Sequence, residues 1–375
     1  MSTSHDTPKG ADRASAGAAP PPKVRKTYPQ DWHAYNAAQT REKEMVAALL
    51  GDLCTAIESP PQKRGRPRIP LADAVFAATM KVYGTTSGRR AMTDMRAYEA
   101  SGFVAKAPSY NSTFDYLENP VLTPILQNMI EESARPLRSI ESEFAVDSSG
   151  FSTAVYRRWY DHKYGREQAE HVYVKAHVMV GVKTNVVTSV EVTPSSGSDY
   201  PVLPHLLKAT AGNFNVAKLS ADKAYSGRSN IEAIHTAGAL PLIPFRSNAK
   251  AKMPGLWREA FEFFRDHADD FYRQYHQRSN VETTFSMIKA KFGGFVRSKT
   301  PTAQVNEVLC KVLAHNLCCL VQSFFEFGIE PAGFWQKGAS PVAARATLPT
   351  PYLPPRTPWR VPSVDPQAPR LPLEG

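Results

Sequence analysis

Several features that define common protein classes are missing from this sequence of 375 residues. Its four cysteines (Cys54, Cys310, Cys318 and Cys319) form no C-x-x-C pair and fit no zinc-ligand spacing, which argues against a disulfide framework or a zinc site. The N-terminus has no charged-then-apolar signal pattern, and no uninterrupted apolar run reaches the ~18 residues of a membrane span. We therefore expect buried free thiols in a soluble, intracellular protein with no membrane partner.

Negative charge is also in short supply. The chain has 45 Lys and Arg residues against 35 Asp and Glu residues, a formal net charge of +10. Such an excess favours a polyanionic partner such as nucleic acid. The alternative is a basic protein that binds no polyanion.

The two ends of the chain differ in composition from its middle. Residues 1–27 are rich in Ser, Ala, Pro and Lys, which predicts a disordered arm. Residues 331–375 are rich in Pro, which predicts an extended tail that either binds a partner or is simply solvated.

Two regions with different periodicity lie between these ends. Residues 28–136 have apolar positions at helical spacing and predict an all-helical region, whose last helix begins near Asn111. Residues 137–330 predict the order β-β-β-α-β-α-β-α-α, including one helical stretch over residues 255–275. A mixed sheet flanked by helices, and hence an α/β fold, follows from that order.

Two aspartates occupy comparable places in the second region. Asp147 follows the apolar run Phe144–Val146, and Asp222 follows the predicted strand over 216–221. We expect each to lie at the end of its strand, beside a loop of small residues, where side chains of such folds meet ligands. Either aspartate alone is also consistent with a residue that caps a turn.

A third acidic residue lies in the segment "YHQRSNVETTFSMIK", residues 275–289, which predicts a helix. With Arg278 at 0°, Glu282 falls near +40° and Lys289 near +20° on a helical wheel, and Tyr275 near +60° if the helix extends back to it. Apolar residues fall beside them and predict a docked face. The alternative for Arg278 and Glu282 is a surface i,i+4 pair.

Three carboxylates that met in space would repel one another unless they were protonated or bridged by cations. Carboxylate oxygens suit Mg²⁺, and two such ions about 3.5–4 Å apart can promote in-line phosphoryl transfer. Arg278 and Lys289 would then hold backbone phosphates, and Tyr275 would stack on a base or bond a phosphate.

At this point the sequence resembles the DDE transposases of bacterial insertion sequences. The residues Tyr275, Arg278, Glu282 and Lys289 match the Y-(2)-R-(3)-E-(6)-K signature of one group. The segments "AVDSSGF" and "LSADKAYSG" resemble the first and second aspartate motifs, and the segment from "TYPQDWHAYN" to "TDMR" is similar to the helical region that precedes the catalytic domain. The resemblance covers roughly residues 28–330.

The resemblance implies a ribonuclease-H-like DDE catalytic domain over residues 137–330. It implies that Asp147, Asp222 and Glu282 are catalytic and hold two Mg²⁺ ions, for which Mn²⁺ can substitute. Element ends would be cleaved and their 3′-hydroxyl groups transferred to target DNA. The implied partners are double-stranded DNA and a second copy of the chain, in a homodimer on DNA in the bacterial cytoplasm, associated with the nucleoid.

DNA recognition is expected in the helical region 28–136, which includes a candidate helix-turn-helix. The segment "KRGRPR" places Arg64 and Arg66 on either side of Gly65, a pattern that resembles a minor-groove hook. A solvated basic linker is the alternative. Two functional alternatives also stay open: a DNA-binding derivative that has lost catalysis, and a metal-dependent nuclease of the same fold that never joins strands.

Overall fold

The computed structural model describes residues 31–62, 64–65, 67–154, 173–250 and 254–329. The predicted arm (1–27) and the predicted Pro-rich tail (331–375) lie outside the described residues.

Short helices form the N-terminal part of the described chain: α1 (Trp32–Cys54), α2 (Leu71–Tyr83), α3 (Gly88–Ala100), α4 (Tyr110–Leu117) and α5 (Leu122–Ala134). Asp31 and Ser87 cap α1 and α3, since their side chains accept hydrogen bonds from backbone N–H groups of the first turn. The single helix predicted from Asn111 is wrong. Ser109 caps α4, and the chain breaks before Pro120 because a residue that precedes proline disfavours the helical conformation.

A mixed sheet follows, with strands β1 (Glu143–Ser152), β2 (Tyr173–Gly181), β3 (Val187–Pro194), β4 (Lys218–Ala221) and β5 (Leu240–Leu242). The strand order is β3-β2-β1-β4-β5. The first three strands are antiparallel neighbours, whereas β4 runs parallel to both β1 and β5. Asn185 turns the β2–β3 hairpin with a φ of 59°, a conformation that asparagine tolerates. The predicted α/β fold is confirmed.

The remaining helices are α6 (Leu203–Ala211), α7 (Arg228–Thr236), α8 (Leu256–Asp266), α9 (Ala268–Tyr275), α10 (Ser279–Phe292) and α11 (Pro301–Phe327). The stretch predicted as one helix over 255–275 is therefore two helices. They meet at His267, whose φ of −121° and ψ of 44° are not helical.

Helix α11 lies at the centre of the molecule and packs against α1, α2, α5 and α10. One continuous apolar core runs from Ala38 in α1 to Val321 in α11 and includes the inner strands. By length and hydropathy α11 resembles a membrane-spanning helix, but 78% of its most apolar window is buried inside the protein, as in the core helix of a globular fold. The helical region and the sheet therefore share one core.

The four cysteines are free thiols in the structure, and only Cys318 is partly exposed. Burial raises the pKa of the Cys310 thiol to about 12, so this group stays protonated at neutral pH. This agrees with the expectation of buried, unreactive thiols.

Asn316 ties α11 to its neighbours and should be important for stability. It is fully buried, accepts a hydrogen bond from Val187 N at 2.8 Å and donates to Val187 O at 2.7 Å. It also donates to Ile130 O at 3.2 Å and to Ser133 Oγ at 3.0 Å. Asn316→Ala should lower the free energy of unfolding by about 2–4 kcal/mol, since buried polar groups lose their partners.

Urea denaturation followed by circular dichroism measures this loss. Gln322→Ala on the same helix is the control, because among the described residues its amide donates to the exposed Glu326 alone. The control should change stability by less than about 0.5 kcal/mol. Equal losses in the two variants would contradict the role assigned to Asn316.

Candidate active site

Asp147 and Asp222 lie side by side on neighbouring parallel strands. The last parallel pair of the β1–β4 ladder is Val146 with Ala221, and the two aspartates directly follow these residues, Asp147 within β1 and Asp222 just after β4. Adjacent strands lie about 4.8 Å apart, so the two carboxylates emerge at the same edge of the sheet.

The prediction that Asp147 ends its strand is wrong. Asp147 is the fifth residue of β1, which continues to Ser152 by pairing with β2 alone. The parallel ladder with β4 stops after Val146 because β4 ends at Ala221. Asp147 is therefore inside a strand but at the end of its parallel pairing, and this point brings it next to Asp222.

Each aspartate also accepts a hydrogen bond from the backbone N–H of the next residue. Asp147 Oδ1 accepts a hydrogen bond from Ser148 N at 2.8 Å, and Asp222 Oδ1 accepts one from Lys223 N at 2.7 Å. The turn-capping alternative is thus observed for Asp222, which precedes the 3₁₀ turn Lys223–Tyr225, but not for Asp147, whose partner lies in the same strand. Each hydrogen bond engages one oxygen of its carboxylate and is compatible with a second role for the other oxygen.

The segment 275–289 is not one continuous helix. Tyr275 ends α9, residues His276–Arg278 form a 3₁₀ turn, and Glu282 and Lys289 lie on α10. The helix does not extend back to Tyr275 because this tighter turn intervenes. Tyr275 stacks on Phe271 with ring centroids 5.6 Å apart.

Helix α10 docks against β1 and β2 through its apolar stripe, whose members Val281, Phe285, Ile288 and Phe292 are all buried. Asn280 Nδ2 adds a hydrogen bond to Val182 O at 2.8 Å, which fixes the start of the helix on the sheet. The docking orients Glu282 towards the edge that carries the two aspartates.

Arg278 links two of the three acidic residues. Its Nη2 donates to Asp147 Oδ2 at 2.8 Å, and its Nη1 donates to Glu282 Oε1 at 2.7 Å. The i,i+4 pair with Glu282 is therefore present, but the same guanidinium also reaches a partly buried carboxylate 131 residues away in sequence. One side chain spans the distance between Asp147 and Glu282.

Electrostatic coupling extends to the third acidic residue. Burial raises the pKa of Asp147, and the charges of Asp222 and Glu282 raise it further. The hydrogen bond from Ser148 N and the charge of Arg278 act in the opposite direction. Three carboxylates thus lie within electrostatic range of one another and share one compensating cation.

Lys289 contacts the same sheet edge about two turns after Glu282 on α10. Its Nζ donates to Ser149 Oγ at 2.7 Å and lies 5.4 Å from the centroid of the Phe151 ring. Burial lowers the pKa of this lysine. Burial also raises the pKa of Tyr275 to about 12, so that its hydroxyl stays protonated and can donate.

Arg64, the described arginine of the predicted minor-groove hook, is not brought to this site. Arg64 is exposed in the loop between α1 and α2 and makes no hydrogen bond or ion pair with the three acidic residues. Arg66 lies outside the described residues. The proposed contact of this segment with DNA stays a prediction.

Sequence reasoning missed a polar network on the other face of β1. Asp199 Oδ1 accepts a hydrogen bond from Ser148 Oγ at 3.0 Å and lies 2.5 Å from Lys175 Nζ and 3.3 Å from His177 Nδ1. Lys175 and His177 are two residues apart in β2, so the sequence predicts that their side chains lie on the same face of the sheet. The sequence does not predict that Asp199, from a later loop, approaches them. Burial lowers the pKa of His177 to about 4, so Lys175 supplies the compensating charge at neutral pH.

Asp199→Asn should therefore destabilise the protein by about 1–3 kcal/mol, since it leaves the partly buried Lys175 ammonium unpaired. Chemical denaturation at pH 7 measures the loss. The double variant Asp199→Asn with Lys175→Met should recover most of it, because both charges are then absent. A single variant as stable as the wild type would show that the pair contributes nothing.

The carboxylates of Asp147, Asp222 and Glu282 converge on one sheet edge, and carboxylate oxygens are the ligands that hard divalent cations prefer. No group of three or more His, Cys, Asp or Glu residues in the described ranges is close enough to hold a metal as it stands. The reason is visible at Arg278, whose guanidinium lies between Asp147 and Glu282. The edge already accommodates one cation, in the form of a side chain.

A comparison with protein-family models matches residues 138–317 to the transposase DDE domain. No curated protein and no solved structure matched the chain. The matched residues contain all five strands, both aspartates and the whole of α10. Residues 138–317 of this chain are therefore similar to the DDE domain of transposases.

Proposed function

We propose that this protein cleaves the ends of an insertion sequence and transfers the freed 3′-hydroxyl groups to target DNA. One observation carries the proposal. Asp147 and Asp222 are neighbours at the end of a parallel strand pair, and a single guanidinium connects Asp147 to Glu282. The strand order β3-β2-β1-β4-β5, with β2 antiparallel to β1, supports a ribonuclease-H-like core for this chemistry.

The residues that would hold Mg²⁺ are Asp147, Asp222 and Glu282, with Mn²⁺ as a substitute. When bound, two such ions activate the attacking oxygen and stabilise the leaving oxygen of a phosphodiester. The chain contributes the carboxylates, the rigid strands that carry two of them, and the docked helix that carries the third. Because Arg278 bonds two of these groups, the guanidinium must leave at least one of them before that carboxylate can take a metal.

Arg278 and Lys289 are the proposed phosphate ligands beside the acidic residues. Arg278 Nε is buried and has no hydrogen-bond partner among the described residues, so the side chain retains donor capacity. Lys289 approaches the sheet through a neutral hydroxyl, Ser149 Oγ, which leaves its charge uncompensated. Tyr275, which directly precedes the 3₁₀ turn that ends at Arg278, is the proposed contact for a base or a phosphate.

The helical region 28–136 is the proposed DNA-binding part. Helix α2 is almost entirely buried, so it cannot enter a groove along its length. Exposed cations on α3 (Arg89, Arg90 and Arg96) make that helix the better candidate for backbone contacts. Residues 137–330 are the proposed catalytic domain. We propose a homodimer on DNA, since two element ends must be held together.

Two assays test the proposal on DNA that flanks this reading frame and carries its terminal repeats. Purified protein with Mg²⁺ should nick the repeat end, and a pre-cut end should be joined to a second duplex. Nicking without joining would indicate a nuclease, and DNA binding without either reaction would indicate a derivative that has lost catalysis. Each result identifies a different function for the same fold.

A further inference from the structure

A small cationic cavity lies where the N-terminal helices meet the catalytic part of the chain. It is a cavity of about 20 Å³ between the end of α2 and the turn from α10 to α11. We call it the α2–α11 notch and define it by Lys81, Thr86, Arg297, Glu307 and Lys311. None of these residues belongs to the acidic site described above.

Positive charge in the notch exceeds negative charge. Three of its five defining residues are cations and Glu307 is the one carboxylate among them. This carboxylate is already engaged, because it accepts hydrogen bonds from Arg297 N at 3.0 Å, Ser298 N at 2.8 Å and Ser298 Oγ at 2.7 Å. Glu307 therefore serves the backbone of the turn and compensates the cations only in part.

Lys81 is a largely buried residue whose ammonium has no polar partner among the described residues. It is 6% exposed and makes no hydrogen bond or ion pair with any other described residue; its one contact of note is the Phe114 ring at 5.7 Å. Burial lowers its pKa, which the charge of Glu307 partly offsets. An unpaired ammonium at the end of a largely buried side chain retains its donors and its charge for an anion.

Other polar groups of the notch are incompletely satisfied or strained. Thr86 Oγ1 is buried with no hydrogen-bond partner among the described residues. The neighbouring Thr85 is exposed, lines the same cavity and has a φ of 53°, which is unfavourable for a β-branched residue. Such strain is typical of binding loops. Since Thr85 is exposed, the notch has an opening to solvent.

Lys311 connects the notch to the acidic edge. Its Nζ donates to Gly293 O at 2.8 Å and to Phe295 O, and it lies 5.6 Å from the centroid of the Phe151 ring. Lys289 contacts the same Phe151 ring at 5.4 Å. One aromatic ring thus separates the notch from the lysine that stands beside Ser149 and the catalytic acids.

We propose that the α2–α11 notch binds one backbone phosphate of the DNA on which the protein acts. The opening admits a phosphoryl oxygen, which would accept hydrogen bonds from Lys81 and Thr86 and lie near the Arg297 and Lys311 charges. The inference rests on the proposed function for the identity of the anion. It adds a contact at the boundary between the helical region and the catalytic part.

DNA affinity measured in EDTA tests the notch separately from catalysis. The probe is a short fluorescent duplex from the terminal repeat, titrated by anisotropy over a range of salt concentrations. Lys81→Met should weaken binding roughly tenfold and reduce the slope of log K against log salt by about 0.9. Arg297→Gln, at a more exposed position, should act in the same direction if the Met variant fails to fold.

Lys218→Met is the matched control. This lysine pairs with Glu143 at the opposite end of the β1–β4 ladder, so its loss should leave the salt slope unchanged. A second readout scans the duplex with single methylphosphonates, which remove one phosphate charge at a time. One position should weaken binding by the wild type and have no effect on Lys81→Met.

An identical slope and an identical scan for wild type and both notch variants would overturn the proposal. Thermal stabilisation by inorganic phosphate alone, lost in Lys81→Met while the DNA scan stays unchanged, would assign the notch to a free anion and overturn it too. Absence of nicking by a protein that passes the binding tests would reject the proposed function and leave the phosphate site intact. Nicking activity with no effect of the variants would reject only the site.

Discussion

Asp147→Asn is expected to reduce metal-dependent nicking of terminal-repeat DNA by roughly 10²–10³-fold. The substitution keeps the size of the side chain and its hydrogen bond from Ser148 N but removes the charge at Oδ2, the atom that now faces Arg278. An amide oxygen is a weaker ligand for a hard divalent cation than a carboxylate. Asp222→Asn and Glu282→Gln should have losses of the same order, since the proposed two-ion site uses all three acids.

The loss must be separated from failure to fold or to bind DNA. Asp147→Asn should retain wild-type DNA affinity in EDTA, or exceed it, because one negative charge near the DNA has been removed. Asp266→Asn is the control on α8, where the aspartate is exposed and pairs with the adjacent Arg265. If Asp147→Asn nicked DNA as fast as this control, the catalytic assignment of the acidic residues would be untenable.

Arg278→Gln is expected to change metal binding and catalysis in opposite directions. Without DNA, the variant should bind Mn²⁺ about tenfold more tightly, because no guanidinium then compensates Asp147 and Glu282. With DNA, nicking should fall by about 10–100-fold, since a proposed phosphate ligand is lost. Titration of Mn²⁺ by electron paramagnetic resonance, with the nicking assay in parallel, measures both effects.

The control is Arg273→Gln on the preceding helix, where the arginine is largely exposed and pairs with Asp270. This variant should match the wild type in both assays. Weaker or unchanged Mn²⁺ binding by Arg278→Gln would mean that the guanidinium does not compete with cations at the acidic edge. The arginine would then be an ordinary part of the docked helix.

The sequence was sufficient to predict which acidic residues come together, but not how. Asp147 and Asp222 each follow an apolar run, and parallel strands bring such positions to one edge. The sequence could not indicate that β1 would continue beyond Asp147, because the length of β1 depends on where β4 stops and β2 continues. Register between strands that are distant in sequence depends on tertiary packing, which local patterns do not contain.

The same limit explains the features that were missed. Asp199 meets Lys175 through a loop, and the buried Lys81 meets Arg297 across more than half of the chain. Lysine is a common residue in helices, so the local sequence around Lys81 does not predict that its side chain is largely buried and unpaired. The 3₁₀ turn before α10 was likewise invisible, because its sequence continues the helical periodicity.

The central position of α11 has a consequence for how the molecule can be divided. A fragment that began at residue 137 would retain the sheet but lack α1, α2 and α5. These helices cover much of the surface of α11, which is buried on nearly all sides in the full chain. Its newly bared apolar surface would drive aggregation. Glu42 of α1 also forms an ion pair with Lys291 of α10, with 2.5 Å between the carboxylate oxygen and Nζ. A displacement of α1 would therefore also displace α10, the helix that carries Glu282. This ion pair therefore connects the N-terminal helices directly to the helix that carries Glu282.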